Sequence, residues 1–198
     1  MKTIIPTLIL SLLAHFVLGQ SSSKKYNEAE NLINWPAEFD PKISDFYVHN
    51  EIEIYASPEI VWVLLINAKD WPEWYDGIQS IRFEDETQSA LSPNTKVFWN
   101  SMGQSLNNEI MDFEPYQALS WQFKEKKIQG IHAWVIFRTA TGCKVITDES
   151  QTGSLAKLQK IFLPNKLRKQ HDKWLILLKQ EAELIAVGND NSNLSKIR

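Results

Sequence analysis

The chain has 198 residues, 43% of them hydrophobic, and a formal net charge of −3. This composition is typical of a folded globular protein, and the length supports one core plus extensions. The acidic balance lacks the basic face that nucleic-acid binding requires, so we expect no nucleic-acid partner. The lone Cys143 excludes an internal disulfide, and no Cys/His spacing suits zinc; we expect neither a metal ion nor a cofactor.

Residues 1–19 have the pattern of a signal peptide. A positive start at Lys2 is followed by a mostly apolar run over residues 4–18, and Gly19 precedes Gln20. The run is shorter than the roughly 20 residues that a membrane-spanning helix needs. We expect cleavage after residue 19, export to the periplasm or the exterior, and no stable membrane span after cleavage. An uncleaved N-terminal anchor is the alternative.

Polar segments at both ends bound a single domain. Residues 20–43 contain the turn-forming pairs Trp35-Pro36 and Asp40-Pro41, which indicates a linker. Residues 188–198 are rich in Asn and Ser and are predicted to form a disordered tail. The domain is therefore expected over residues 44–187, as a monomer or weak dimer.

The domain begins with a strand and two short helices. Ile52 and Ile54 alternate with acidic residues within residues 46–55, as in a half-buried strand. Ser57-Pro58-Glu59 then combines an N-cap, a first-turn proline and an acid at the positive end of a helix dipole. Asp70 is expected to cap a second helix that ends at Gly77.

Six further strands follow, separated by turn signals such as Ser92-Pro93-Asn94 and Thr141-Gly142. The connections are too short for crossover helices, so the sheet is predicted to be an antiparallel meander. The predicted strands cover residues 78–84, 95–102, 106–114, 118–126, 131–139 and 144–149.

A long helix over residues 155–187 ends the domain, with a kink expected near Leu163 because Pro164 interrupts it. The meander must bury one face, and this is the long apolar helix available to cover it. We therefore predict an α+β domain. The helix face expected to pack on the sheet carries Leu167, His171, Trp174, Leu175, Leu178, Ala182 and Ile185.

Three segments of this domain carry a family resemblance. Residues 54–62, Ile-Tyr-Ala-Ser-Pro-Glu-Ile-Val-Trp, lead into Trp71-Pro72-Glu73-Trp74. Residues 130–137 place a histidine on one late strand, and residues 142–153 place an acid before a small-Gly step on the next. With the Pro-interrupted last helix, these segments resemble the START/SRPBCC (Bet v 1-like) superfamily, most closely its polyketide cyclase/dehydrase-like branch, across residues 46–187.

The resemblance implies a helix-grip fold. In it, a curved seven-stranded antiparallel sheet wraps around a long C-terminal helix, two short helices follow the first strand, and a cavity lies between sheet and helix. Members bind lipids, sterols, polyketides or other apolar ligands, and some are cyclases or aromatase-like enzymes. Most bacterial relatives are cytoplasmic, so the export signal argues against a role in intracellular polyketide synthesis.

The tryptophans are the candidate cavity lining. A buried Trp needs a partner for its N–H, which makes it costly in a dry core, and flat aromatic faces suit sterol-like or aromatic ligands. Plain core packing is the simpler interpretation for any single Trp, but we expect at least two of the six to touch a cavity. The expected lining is Trp99, Trp121, Trp134 and Trp174, with Trp71, Trp74 and Tyr75 at the entrance.

Two histidines and one acid are the candidate polar ligand contacts. His132 is predicted to point inward. Asp148 and Glu149 are neighbours on the next strand and must point to opposite faces. The resemblance favours Glu149 as the inward acid, which could then meet His132 from the neighbouring antiparallel strand. His171 lies on the inner face of the last helix. A His–Glu pair can move a proton next to a carbonyl, anchor the polar end of a ligand, or be a purely structural pair.

The leading hypothesis is an exported protein that binds a small hydrophobic ligand (lipid, sterol-like or aromatic) in an internal cavity. The alternative is a polyketide cyclase/dehydratase-like enzyme that uses His132 with Glu149. A third hypothesis is a protein-interaction module like the chaperone-activator branch of the superfamily, and the export signal argues against it.

Overall fold

The computed structural model describes the backbone of residues 31–195 and the side chains of residues 31–188. The expected signal peptide and the first part of the expected linker lie outside these ranges. Within them, no helix is both long enough and apolar enough to span a membrane.

Seven antiparallel strands form one sheet, which confirms the predicted architecture. The order across the sheet is β1-β7-β6-β5-β4-β3-β2, so the first strand pairs with the last and the others follow as a meander. The strands are β1 (Phe46–Ile54), β2 (Ile78–Phe83), β3 (Lys96–Ser101), β4 (Gln104–Glu114), β5 (Ala118–Lys124), β6 (Gln129–Thr139) and β7 (Gly142–Thr152).

Two short helices follow β1, and two helices end the domain. The predicted C-terminal helix is divided after residue 162, because Pro164 has no N–H to donate and disfavours helical geometry in the residue before it. Residues 188–195, expected within a disordered tail, are helical. The helices are α1 (Pro58–Ile66), α2 (Trp71–Trp74), α3 (Ser154–Phe162) and α4 (Lys166–Ser195).

The inner face of the sheet and α4 enclose the main core. Leu175, Leu178 and Ala182 on α4 are fully buried in it. Ile185, expected on the same face, is 38% exposed. The stripe instead continues at four-residue spacing from Leu178 through Ala182 to Ala186, which is partly buried.

The outer face of the sheet is covered in part by the segment before β1. Ile33 packs on a cluster from β5, β6 and β7, and Trp35 packs against the same cluster. Phe39, in a short 3-10 turn that contacts β7, is fully buried. Residues 31–39, expected to be linker, are therefore part of the packed domain. The outer-face cluster consists of Ile33, Ala118, Ala133, Val135 and Ile146.

Candidate functional site

The register of the sheet places the candidate polar residues in one row. His132 on β6 lies directly opposite Glu149 on β7, and Trp121 on β5 lies opposite His132 on its other side. Residues in register on neighbouring strands project to the same face. His171 on α4 completes a buried group, the inner cluster, which we define as His132, Glu149 and His171.

The Glu149 carboxylate lies between the two histidines. Its Oε2 is 3.2 Å from His132 Nδ1 and 3.2 Å from His171 Nε2. Its Oε1 accepts a hydrogen bond of 2.5 Å from the side-chain amide of Gln151. The two imidazole rings are stacked, with centroids 4.6 Å apart and planes inclined by 20°. The inner cluster is thus one connected unit.

Thr147 supports the far side of His132. Its hydroxyl oxygen lies 2.7 Å from His132 Nε2, in fully buried surroundings. A hydroxyl both donates and accepts, so Thr147 can stabilise either tautomer of the ring. We did not single out Thr147 or Gln151 from the sequence, although both share the strand parity of Glu149 and could have been found that way.

The inner cluster combines a neutral imidazole with an ionised carboxylate. Burial, with the nearby His171, lowers the pKa of His132 to about 3. Burial alone raises the pKa of Glu149, but hydrogen bonds from His171 and Gln151 outweigh it and bring that pKa below its ordinary value of 4.5. A carboxylate charge in such surroundings strongly favours a cationic neighbour.

A cavity of about 60 Å³ lies beside the inner cluster, which forms its polar end. It has room for only a few water molecules, since each needs roughly 10–15 Å³ of such space. An apolar cavity of about 150 Å³ accepts benzene, so an aromatic ring does not fit here without movement. The apolar wall consists of Tyr75, Ile78, Trp99, Leu106, Trp121, Phe123, Ile128, Leu167 and Trp174.

Three of the six candidate tryptophans line the cavity: Trp99, Trp121 and Trp174. Trp134 does not. It is fully buried, and its ring stacks against the His132 imidazole with centroids 5.4 Å apart, so it supports the inner cluster from within the core.

The structure corrects the expected entrance. Trp71 is fully buried against Trp99 and Trp174, and its indole N–H donates to the carbonyl of Leu64. Trp74 is half-buried outside the cavity wall. Tyr75 does line the cavity, but it is buried and stacked on Trp174 with centroids 4.5 Å apart.

The cavity approaches solvent on another side. Its half-buried lining residues come from the β3–β4 turn, from the adjoining part of β4 and from the two C-terminal helices, not from α2. No turn or helix pattern in the sequence predicted that these residues line a cavity. They come together only because the β3–β4 hairpin folds toward α3. They are Ser101, Met102, Gln104, Leu106, Gln159 and Gln170.

A second histidine–carboxylate group, the outer cluster of His49, Glu51 and Asp148, lies on the other face of β7. His49 Nδ1 is 2.7 Å from Asp148 Oδ1, and His49 Nε2 is 3.7 Å from Glu51 Oε2. Burial alone lowers the pKa of His49, but Asp148 and Glu51 outweigh it and raise that pKa above 6.5. Asp148 and Glu149 thus point to opposite faces, as strand parity predicted.

Solved structures share this architecture, whereas no protein-family profile and no curated protein matches the sequence. A hypothetical protein from Helicobacter pylori (jhp0584) superposes with a TM-score of 0.71 at 25% identity, covering 77% of this chain and 96% of that chain. The di-domain aromatase/cyclase StfQ from the steffimycin biosynthetic pathway gives 0.57 at 14% identity, covering 72% and 53%. The Zhui aromatase/cyclase from Streptomyces sp. R1128 gives 0.57 at 12% identity, covering 69% and 93%.

The chain has the helix-grip fold of the START/SRPBCC superfamily. The seven-stranded order, the two short helices after β1 and the long α4 are those that the sequence resemblance implied. At identities of 14% and 12%, the aromatase/cyclase matches support the fold of the domain and carry no information about a reaction.

Proposed function

We propose that the helix-grip domain binds a small, flat apolar molecule, such as a single aromatic ring, that carries one polar group. The observation that supports this is a cavity that the inner cluster shares with an apolar wall containing five aromatic side chains. Sites that combine an apolar wall with a few converging polar groups are typical of small-molecule binding. The polar group would meet Glu149 or a histidine, and the ring would lie against Trp121 and Trp174.

Cavity size narrows the ligand class. Lipids and sterols are far larger than a cavity of about 60 Å³, and even one ring requires it to enlarge. We expect the turn between β3 and β4 to move, because it contributes three of the half-buried residues of the wall, Ser101, Met102 and Gln104. Gly103 in this turn has a φ of 82°, in the left-handed region that favours glycine.

Tryptophan fluorescence tests this proposal. A panel of single-ring aromatic acids and alcohols is titrated against the purified protein, with a sterol and a fatty acid as larger probes. We expect saturable binding of a single-ring compound at one per chain. Leu106→Phe, which fills the cavity, should abolish it, whereas Met111→Phe on the exposed side of β4 should not. No binding in this panel, and no ligand in native mass spectrometry, would refute the proposal.

A second candidate function is proton transfer in a cyclase- or dehydratase-like reaction. The 3.2 Å distance between His132 Nδ1 and Glu149 Oε2 favours it. A base whose pKa is about 3 holds a proton weakly at neutral pH, however, so we rank binding first. The test is deuterium exchange next to the carbonyl of a small 1,3-diketone, followed by NMR in D₂O. Exchange that Glu149→Gln abolishes and Asp148→Asn preserves would support catalysis; a bound diketone that does not exchange would contradict it.

We also propose that the domain acts outside the cytoplasm. The support is the pattern of residues 1–19, with its positive start and short apolar run. Fractionation of a bacterial host that expresses the full chain should place the protein in the periplasm or medium, and N-terminal sequencing should begin at Gln20. A full-length chain retained in the membrane would favour the uncleaved anchor instead.

A further inference from the structure

The inner cluster brings together three potential metal ligands. His132, Glu149 and His171 each offer one ligand atom, and these atoms lie within 4.8 Å of one another. We propose that the inner cluster binds one divalent transition-metal ion that prefers nitrogen and oxygen ligands, with Zn²⁺ as the first probe. The proposal does not depend on the aromatic-ligand hypothesis, because an ion can bind whether or not an organic molecule shares the cavity.

The distances around the carboxylate suit a single ion. Bonds of about 2.0–2.1 Å at tetrahedral angles separate two ligand atoms by about 3.3 Å. Glu149 Oε2 lies 3.2 Å from His132 Nδ1 and 3.2 Å from His171 Nε2, which matches two edges of such a tetrahedron. Only the third edge, between the two histidines, needs adjustment, because their rings are nearly parallel.

His171 can make that adjustment. Its Nδ1 has no hydrogen-bond partner among the described residues, although the side chain is only 2% exposed. A ring that is not held at Nδ1 can rotate and direct Nε2 toward the point that His132 Nδ1 faces. Buried imidazole nitrogens usually have a hydrogen-bond partner. An unpartnered nitrogen beside a cavity therefore indicates a site for a ligand.

The surroundings supply the outer contacts that metal sites use. Metal-bound histidines usually donate their other N–H to a protein oxygen, and metal-bound carboxylates are themselves hydrogen-bonded. Here the Thr147 hydroxyl lies 2.7 Å from His132 Nε2, and Gln151 donates to the Glu149 oxygen that does not face the histidines. Both contacts would persist with an ion bound.

The chemistry of the ligand set and the cavity also agree. Two imidazoles and one carboxylate form a set that holds Zn²⁺ or Fe²⁺ while leaving other positions open. The cavity of about 60 Å³ lies on the open side and has room for water molecules in those positions. The ion would also compensate the buried charge of Glu149.

The outer cluster is a matched control within the same chain. It also combines imidazole with carboxylate groups, but Asp148 and Glu51 contact opposite nitrogens of one imidazole. Opposite nitrogens of a ring cannot bind the same ion, so the outer cluster should not chelate.

The experiment uses the full chain without a polyhistidine tag, stripped with a chelator and titrated with Zn²⁺ by calorimetry and with Co²⁺ by visible absorption. We expect one ion per chain, a higher Tm in its presence, and quenching of tryptophan fluorescence by Co²⁺. The quenching follows because the rings of Trp121 and Trp174 lie 4.7 and 5.5 Å from the His132 ring.

Variants locate the ion. Glu149→Gln and His171→Gln should abolish one-to-one binding, and Thr147→Val should weaken it about 10- to 100-fold, as outer contacts do. His49→Gln and Asp148→Asn should leave it unchanged. If the inner variants do not fold, X-ray absorption of the Zn²⁺-loaded wild type decides, because it must show two imidazoles and light-atom ligands at about 2.0–2.1 Å.

Three results would overturn the proposal: no one-to-one ion binding by folded wild type, binding that survives both inner variants, or a spectrum without two imidazoles. The aromatic-ligand hypothesis has a separate readout, since its titration uses organic probes and the Leu106→Phe variant. Each proposal can therefore fail without the other.

Discussion

The two faces of β7 carry the same chemical groups in opposite electrostatic states. Glu149 faces inward and meets two histidines, whereas its neighbour Asp148 faces outward and meets one. The pKa of His132 is lowered to about 3, whereas that of His49 is raised. A carboxylate neighbour alone therefore does not decide whether a histidine is charged. For His132, under α4, desolvation has the larger effect and lowers the pKa. For His49, on the edge strand, the two carboxylates together outweigh desolvation and raise the pKa.

The arrangements also differ in what they can bind. The inner cluster places one carboxylate oxygen between nitrogens of two rings, a geometry that converges on a point. The outer cluster places one ring between two carboxylates, a geometry that diverges. The inner cluster lines the cavity of about 60 Å³, and no residue of the outer cluster lines that cavity. Both binding proposals therefore concern the inner face, and the outer cluster serves as their control.

The largest difference between the two faces is expected when each loses its β7 acid. Glu149→Gln replaces a charged acceptor that contacts two histidines and Gln151, and should lower the free energy of unfolding by about 3–5 kcal/mol, because each hydrogen bond to a charged group contributes about 1.5–3 kcal/mol. Asp148→Asn should cost about 1 kcal/mol, because His49 keeps a second carboxylate, Glu51, 3.7 Å from its Nε2. Urea denaturation of the two variants measures both values. Equal losses would remove the energetic distinction between the faces.

Ile33 tests whether the segment before β1 stabilises the outer face of the sheet. Ile33→Ala should lower the free energy of unfolding by about 2–3 kcal/mol, because Ile33 packs on the outer-face cluster. Leu32→Ala is the adjacent control and should change it by less than about 0.5 kcal/mol, since Leu32 is exposed. Thermal and urea unfolding give the comparison. A negligible effect of Ile33→Ala would show that residues 31–39 add little to stability, as expected of a linker.

Thr147→Val tests how strictly the inner cluster depends on its hydrogen bonds. The substitution keeps the shape but leaves His132 Nε2 without its partner, so stability should fall by about 1–2 kcal/mol. Thr139→Val at the end of β6 is a Thr→Val control outside the cluster, and should cost less. If the two variants unfold at the same urea concentration, the Thr147–His132 contact adds nothing to stability.

The smallest expected effect is a pH dependence on the outer face. The pKa of His49 is raised above 6.5 in the folded protein, so the protonated ring stabilises the fold fully below pH 6.5. That contribution, about 1 kcal/mol, is lost as the pH rises through the folded pKa. His49→Gln should therefore flatten the unfolding free energy between pH 6 and 8. NMR titration of the ring that gives a pKa below 6.5 would contradict this.

Strand parity predicted that Asp148 and Glu149 face opposite sides of the sheet, and the family resemblance favoured Glu149 as the inward acid. The element that covers the sheet was predicted from the apolar stripe of the long C-terminal helix. The same reasoning could not find the entrance to the cavity. Trp71 has the position in the sequence of an entrance residue, but contacts with Trp99 and Trp174 draw it into the core. A short helix has too few residues for periodicity to decide which face it buries.

The sequence was sufficient to predict the order of elements, the antiparallel meander, an interruption of the last helix at Pro164, and the opposite directions of Asp148 and Glu149. These features depend on local spacing, turn residues and strand parity. The tertiary structure alone decided that His171 meets Glu149, that the cavity is small, and that residues 31–39 cover the outer face. Those features depend on contacts between segments far apart in the chain, whose distances follow from packing.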